Sequence, residues 1–291
     1  MQTVKTVQIA KTGLVLEGGA MRGMFTAGVL DVLMEQGITF DGAVGVSAGA
    51  AFGCNIKSHQ IGRVIRYNKK YCRDKDFVSV RSWLTTGDLY NADFSYRRIP
   101  YELDPFDVET YRRDPMDFYA VATDMETGEP VYHNCLTGDD TDILWMRASA
   151  SIPIASRPVV IDGRKLSDGG TADSIPLRFM ESKGFARNVV ILTQPAGFVK
   201  QQMRHFSAVK LALRKWPRLI AALERRPAMY NEEVRYVTAQ QAAGNAFVLQ
   251  PPEPLHIGSV CHDPEELERV YRIGRETAEG ALGALREFLE A

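Results

Sequence analysis

Residues 45–49 read Gly-Val-Ser-Ala-Gly, one hydroxyl with a glycine two places away on either side. A serine nucleophile at a sharp strand-to-helix turn needs this spacing. Small neighbours let strand and helix approach, and the helix N-terminus beneath the oxygen favours developing negative charge. A serine that only caps a helix would read the same way, so Gly45, Ser47 and Gly49 alone leave both roles open. A second stretch, Glu17-Gly18-Gly19-Ala20-Met21-Arg22-Gly23, follows an apolar run at 12–16 and opens a helix. Successive backbone N–H groups in such a loop converge on an anion, either a cofactor pyrophosphate or the oxyanion of acyl transfer. The dinucleotide fingerprint fits poorly. Its register would be Gly18-x-Ala20-x-x-Gly23, without the middle glycine, and the acid expected about 20 residues on could only be Asp41, at the start of the next strand. An oxyanion loop is the better account, because a candidate nucleophile ends the adjacent strand.

A nucleophilic serine needs a base. The chain has five histidines, His59, His133, His205, His256 and His262. None sits in a glycine-framed turn, although His256 and His262 are well placed by chain order for a Ser-His-acid triad. Ser167-Asp168-Gly169-Gly170 differs: an aspartate ends a short strand, and two glycines let the backbone turn hard and present its carboxylate. An ordinary Asp-Gly turn has the same signature.

The elements that would position these groups are legible in outline. "TGLVL" at 12–16 and Phe40 to Val46 read as buried strands. Between them, Phe25, Val29, Leu30, Leu33 and Met34 recur at helical spacing, with Gly37 as the stop. Strand, loop, helix, strand, turn and helix in that order argue for a mostly parallel sheet with helices on both faces, a three-layer α/β/α architecture. Residues 57–116 are rich in Arg, Lys, Tyr and Asp and read as irregular connections and short helices. A hairpin turns at 126–129, a helix covers 140–150, a second hairpin turns at Asp162-Gly163, and "RNVVILTQP" and "GNAFVLQPP" are strands. From Pro264 a helical stripe of Leu267, Val270, Tyr271, Gly274, Ala278, Leu282, Leu285 and Leu289 predicts a packing helix over 264–291. Without repeats, low-complexity tracts or a linker, one domain over 1–291 is expected.

Residues 198–226 carry Lys200, Arg204, Lys210, Arg214, Lys215, Arg218, Arg225 and Arg226 against one acid, Glu224. Phe206, Val209, Leu213, Trp216, Ile220 and Leu223 repeat at three-four spacing, and Pro217 should split the segment into two helices. Two readings stand: a lid or contact with an anionic membrane surface, or a helix packed on the body with its basic face in water.

Composition narrows the rest. A net charge of -1 gives no whole-chain field for nucleic acid. Cys54, Cys72, Cys135 and Cys261 are scattered, which predicts no disulfide framework and no zinc site. The N-terminus lacks the apolar core of a signal peptide, and no apolar run reaches the ~20 residues of a membrane span. A cytoplasmic protein, at most peripheral to a membrane, is expected. Nothing in the pattern specifies an oligomer.

"GLVLEGGAMRG", "GVSAG" and "SDGG", in that order, resemble the patatin-like phospholipases, and the similarity runs over most of the chain. "YNEEV" and "GNAFVLQPPEPLHIGSVCHDPEELERVY" resemble a bacterial branch of that family. The resemblance implies a Ser-Asp dyad with no histidine: Ser47 as nucleophile and Asp168 as base. It implies an oxyanion hole on the Gly18–Gly23 loop, with Gly18, Gly19 and Ala20 donating N–H groups and Arg22 at the family's basic position. The family loop reads Gly-Gly-Gly-x-Arg-Gly, so Ala20 replaces a glycine, which matters if the loop needs a positive φ there. The implied substrate is a lipid or other acyl ester, cleaved in phospholipase A or lysophospholipase fashion without metal or cofactor. The alternatives are a histidine-triad α/β-hydrolase and a lipid- or nucleotide-binding module with little or no activity.

Overall fold

Eight apolar or alternating segments lie side by side in one sheet in the computed structural model, which describes residues 11–290. They are β1 (Lys11–Leu16), β2 (Gly42–Val46), β3 (Asp117–Asp124), β4 (Pro130–Asn134), β5 (Val159–Ile161), β6 (Arg164–Asp168), β7 (Phe185–Ile191) and β8 (Ala246–Leu249). Hydrogen-bonded neighbours connect as β5-β6-β3-β2-β1-β7-β8, with β4 on the other edge of β3 from β2 and β6. β1, β2, β3, β7 and β8 pair in parallel, while β4 and β6 run antiparallel to β3 and β5 antiparallel to β6. Helices are α1 (Gly23–Glu35), α2 (Ala48–Gly53), α3 (Arg63–Tyr71), α4 (Val80–Thr86), α5 (Val108–Arg113), α6 (Asp140–Ser149), α7 (Leu177–Ser182), α8 (Phe206–Ala212), α9 (Pro217–Ala242) and α10 (Pro264–Glu290).

Successive strand residues point to opposite faces, and the core divides accordingly. Leu14, Leu16, Ala43, Val189 and Ile191 join residues of α1, α2, α6 and α10 in one apolar cluster. Val15, Val44, Val46 and Val190 join residues of α7 and α9 in another. These are the two helical layers of the expected α/β/α sandwich.

Both expected hairpins form, joining β3 to β4 and β5 to β6, and Leu267, Val270, Tyr271, Gly274, Ala278 and Leu285 of the α10 stripe are buried. One segment differs from the sequence reading, and in another the apolar stripe packs on the body, as the second of its two readings has it. Phe94–Leu103 is a π-helix that contains Pro100. Proline lacks an N–H and clashes with the preceding turn of an α-helix, and the wider helix accommodates it. Within 198–226, only α8 and the start of α9 are helical, with Pro217 at the first turn of α9 as expected. The apolar stripe does not face outward: Leu213, Leu219 and Leu223 pack with Met125, flanked by Phe206, Val209, Trp216 and Ile220. No helix among the described residues is long and apolar enough to cross a membrane.

Helix α10 lies against α1 at glycines. A Cβ at position 274 would stand 2.1 Å from the Phe25 carbonyl oxygen, and one at position 28 would stand 2.0 Å from that of Tyr271. Because the obstacle is backbone, Gly274→Val should lower the unfolding free energy by about 3 kcal/mol. Gly280→Ala in the same helix meets nothing within 4 Å and should raise it by up to ~1 kcal/mol. Urea titration of both variants checks the pair; equal behaviour would show that α10 is not closely seated on α1.

Candidate active site

β4 occupies one edge of β3 over residues 119–123, so β2 and β6 must share the other. They reach it from opposite directions. β2 ends with Val46 opposite Val121, and β6 ends with Asp168 opposite Ala122, the next residue along. The chain after Val46 cannot continue along β3, because β6 holds the next place. It turns at Ser47, which has φ 54 and ψ -120, a conformation that side-chain-bearing residues rarely hold. Such strain, of order 1–3 kcal/mol, persists only where the surroundings over-determine it. Here the Ser47 N–H donates to the Ser149 hydroxyl oxygen at 2.9 Å, and Gly45 and Gly49 bring α2 down onto β1 and β2. Sequence reasoning missed Ser149, which lies 102 residues away and carries no local signal.

The glycine loop comes from the other neighbour of β2. Leu16 of β1 is opposite Gly45, so Gly18 comes beside Ser47, and a Cβ on Gly18 would lie 2.8 Å from the Ser47 Cβ. The backbone N–H groups of Gly18, Gly19 and Ala20 have no acceptor among the described residues, whereas Arg22 N–H donates to the Gly19 carbonyl. Ala20 has φ 48, so the position does require the left-handed region. An L-residue is disfavoured there by roughly 1–2 kcal/mol.

Asp168 is buried beside Ser47. Its carboxylate accepts from the Gly170 N–H at 2.9 Å, and its own N–H donates to the Ser151 carbonyl at 2.8 Å. Burial pushes its carboxyl above the usual aspartate range, against the Arg226 guanidinium, the Ser47 hydroxyl, the Gly170 N–H and Lys200, which favour the ion. Ser47 and Asp168 are 7% and 6% exposed, so both reach solvent only through the cavities they line.

Two cavities meet at Ser47. One of about 280 Å³ is walled by apolar and aromatic side chains, among them Met21, Phe52, Phe77, Ile99 of the π-helix, and Met146. The other, of about 370 Å³, is lined by Gly18, Gly19, Asp168, Glu17, Arg22, Lys200, Arg226 and Tyr230. No histidine lines either cavity. His59 pairs with Asp114, His133 with Asp142, and His262 with the Cys72 carbonyl. His133, Cys135 and Asp142 bring donor atoms within 4.8 Å of one another, a cluster the sequence reading did not find. Both Asp142 oxygens are already taken by His133, Thr137 and Gly138, and none of the three lines either cavity.

Helix α9 supports the site through "YNEEV". The Tyr230 hydroxyl donates to Glu17 Oε1 at 2.9 Å, and the Thr193 N–H donates to Glu17 Oε2 at 2.6 Å. Burial pushes the Glu17 carboxyl up, opposed by these two hydrogen bonds and by Arg22 and Lys200. The Asn231 side chain bonds both the N–H and the carbonyl of Lys200, at 2.8 and 3.1 Å. Glu233 accepts from the Ser174 and Ile175 N–H groups, on the chain leaving Gly170. Burial pulls the Lys200 ammonium down to about 8, helped by Arg226 and Arg22 and opposed by Glu17 and Glu233. The sequence reading counted Lys200 and Arg226 in a surface charge run; the placement of α9 turns them inward.

A strained serine at the carboxyl end of β2 thus lies beside a buried aspartate at the end of β6 and a loop of free N–H groups that follows β1. Residues 14–180 match the family model described as "Patatin-like phospholipase". The chain therefore belongs to the patatin-like phospholipase family, a family of lipid hydrolases. Residues 216–290 match a second model, a domain of unknown function, DUF6363. "Uncharacterized protein YjjU" of Escherichia coli (strain K12) is 27% identical over 94% of this chain and 77% of its own length. "Lysophospholipase NTE1" of Kluyveromyces lactis is 26% identical over 63% of this chain, which corresponds to only 13% of that protein. Among solved structures, human GIVD cytosolic phospholipase A2 in complex with methyl gamma-linolenyl fluorophosphonate covers 97% of this chain and 58% of its own, at 11% identity and a TM-score of 0.49.

The φ of 48 at Ala20 generates a direct test. Ala20→Gly should raise the unfolding free energy by about 1 kcal/mol, the left-handed penalty less the added unfolded-chain entropy. A chemical denaturation midpoint that falls would show that the loop does not hold Ala20 in that region.

Proposed function

We propose that this chain is a serine hydrolase of carboxylic esters of lipids, of the phospholipase A or lysophospholipase type, working through Ser47 and Asp168. The observation that carries the reading is the meeting of β2 and β6 on one edge of β3, which sets a strained hydroxyl against a buried carboxylate with no histidine lining either cavity. Ser47 Oγ attacks the ester carbonyl carbon while Asp168 takes its proton. The oxyanion is received by the N–H groups of Gly18, Gly19 and Ala20, in the loop closed by Arg22 and Gly23. Collapse of the tetrahedral intermediate passes the proton from Asp168 to the leaving alcohol. Water then attacks the acyl-enzyme while Asp168 accepts its proton, and Asp168 returns that proton to Ser47 Oγ as the Oγ–acyl bond breaks and the fatty acid leaves. Burial of Asp168 supports this role, because a base with a pKa raised towards neutrality is better matched to a serine hydroxyl than a free aspartate. The apolar cavity suits the acyl chain; its volume is near the lower end of ligand pockets. Exposed Val199, Met203 and Leu211, among the basic residues of 198–226, support contact with an anionic lipid surface.

Ser47→Ala and Asp168→Asn should each lower hydrolysis of p-nitrophenyl esters by at least ~10³-fold with far-UV circular dichroism unchanged. Near-full activity in either folded variant would sink the dyad. A fluorophosphonate probe that fails to label Ser47 would leave the lipid-binding module as the reading. The pH dependence has a defined sign: Asp168 must be ionised, so kcat/KM should fall as pH drops through its raised pKa. The acid limb should lie above the ~3.9 of free aspartate. Arg226 favours the ion, so Arg226→Met should move that limb to higher pH.

A further inference from the structure

The second cavity at Ser47 is cationic in a way that ester chemistry does not require. Arg22, Lys200 and Arg226 all line it. Among the described residues none of the three is paired with a carboxylate, whereas Arg63, Arg66, Lys69 and Arg275 all are. The Nε of Arg22 is buried without a hydrogen-bond partner. Arg226 spends its Nε on the Gly170 carbonyl, with no other acceptor among the described residues. Even with Glu17 and Asp168 both ionised, the cavity keeps surplus positive charge, and both Glu17 oxygens are engaged by Tyr230 and Thr193.

The cations are built in. Asn231 clamps the Lys200 backbone on both sides, and the Lys200 ammonium lies over the Tyr230 ring, 4.2 Å from its centroid. Burial is the main cause of the lowered affinity of Lys200 for its proton, and repulsion from Arg226 and Arg22 adds to it. An anion among them would relieve that repulsion and supply the missing acceptors.

We propose that Arg22, Lys200 and Arg226 form an anion subsite for the head-group phosphate of a monoacyl phospholipid whose acyl chain lies in the apolar cavity. This rests on the reading of Ser47 as an acyl-ester nucleophile. It adds which side chains would receive the phosphate of the leaving alcohol, since the two cavities flank the hydroxyl on which the ester would sit. Lys200 and Arg226 both lie outside the span matched by the patatin-like model and Arg22 lies within it, so two of the three cations come from the later part of the chain.

The experiment separates the subsite from catalysis. Full-length Ser47→Ala protein is titrated by calorimetry with decyl phosphate, 1-decanol and inorganic phosphate. Decyl phosphate should bind at least ~10-fold more tightly than either of the others, because charge-assisted hydrogen bonds add to burial of the chain. Adding Lys200→Met or Arg226→Met should weaken decyl phosphate about 10-fold and decanol by much less, and Lys200→Arg and Arg226→Lys should restore much of the loss. Equal affinity for decanol and decyl phosphate overturns the proposal, as does a loss shared equally by both ligands. Inorganic phosphate binding as tightly as decyl phosphate overturns the head-group assignment in favour of free phosphate. Hydrolysis by the wild-type protein is measured separately with p-nitrophenyl esters. Ester cleavage without phosphate preference removes the subsite alone, and phosphate preference without cleavage removes the nucleophile alone.

Discussion

A Cβ at position 49 would stand 2.3 Å from the Leu16 carbonyl oxygen, and one at position 45 would stand 2.4 Å from the Gly49 carbonyl oxygen. The site depends on that steric constraint. It lets α2 start directly above the ends of β1 and β2, and it leaves the intervening residue no relaxed conformation. Blocked ahead by β6 and held at its N–H by Ser149, Ser47 stays in its strained turn. The same crowding sets Gly18 against Ser47, so the free N–H groups and the hydroxyl share one small space.

A second set of contacts comes from far along the chain. Tyr230, Asn231 and Glu233 reach from α9 to Glu17, Lys200 and the chain beyond Gly170. Each bond involves a buried or partly buried polar group whose loss would leave its partner unsatisfied, costing about 1–3 kcal/mol. Helix α9 thus holds both the start of the glycine loop and the strand-end that carries Asp168. The β8 strand that follows it extends the same parallel sheet.

Much of this was legible in the sequence, for physical reasons that differ by element. The turn at Ser47 was legible because a close backbone approach admits only small residues, and that demand falls on consecutive positions. Both hairpins and the α10 stripe were legible because strand and helix periods are local. For Ala20 the sequence could pose the question of its φ; the backbone angle answers it. The π-helix at 94–103 was not legible, since its residues carry no distinguishing period. Nor was the inward aim of Lys200 and Arg226. An amphipathic basic segment has the same pattern whether its apolar stripe meets lipid or, as here, Met125 and its neighbours.

The layout of the site also divides along the chain. Gly18, Ser47, Ser149 and Asp168 all lie before residue 180, within the span of the patatin-like match, while Lys200, Arg226 and Tyr230 follow it. The two portions face each other across one cavity but answer to different constraints. The earlier one is fixed by backbone collisions that tolerate almost no substitution. The later one is fixed by side chains on a helix, where a change of charge leaves the strained turn untouched. On the proposed reading, related chains can therefore diverge in what they recognise while inheriting an unaltered nucleophile turn.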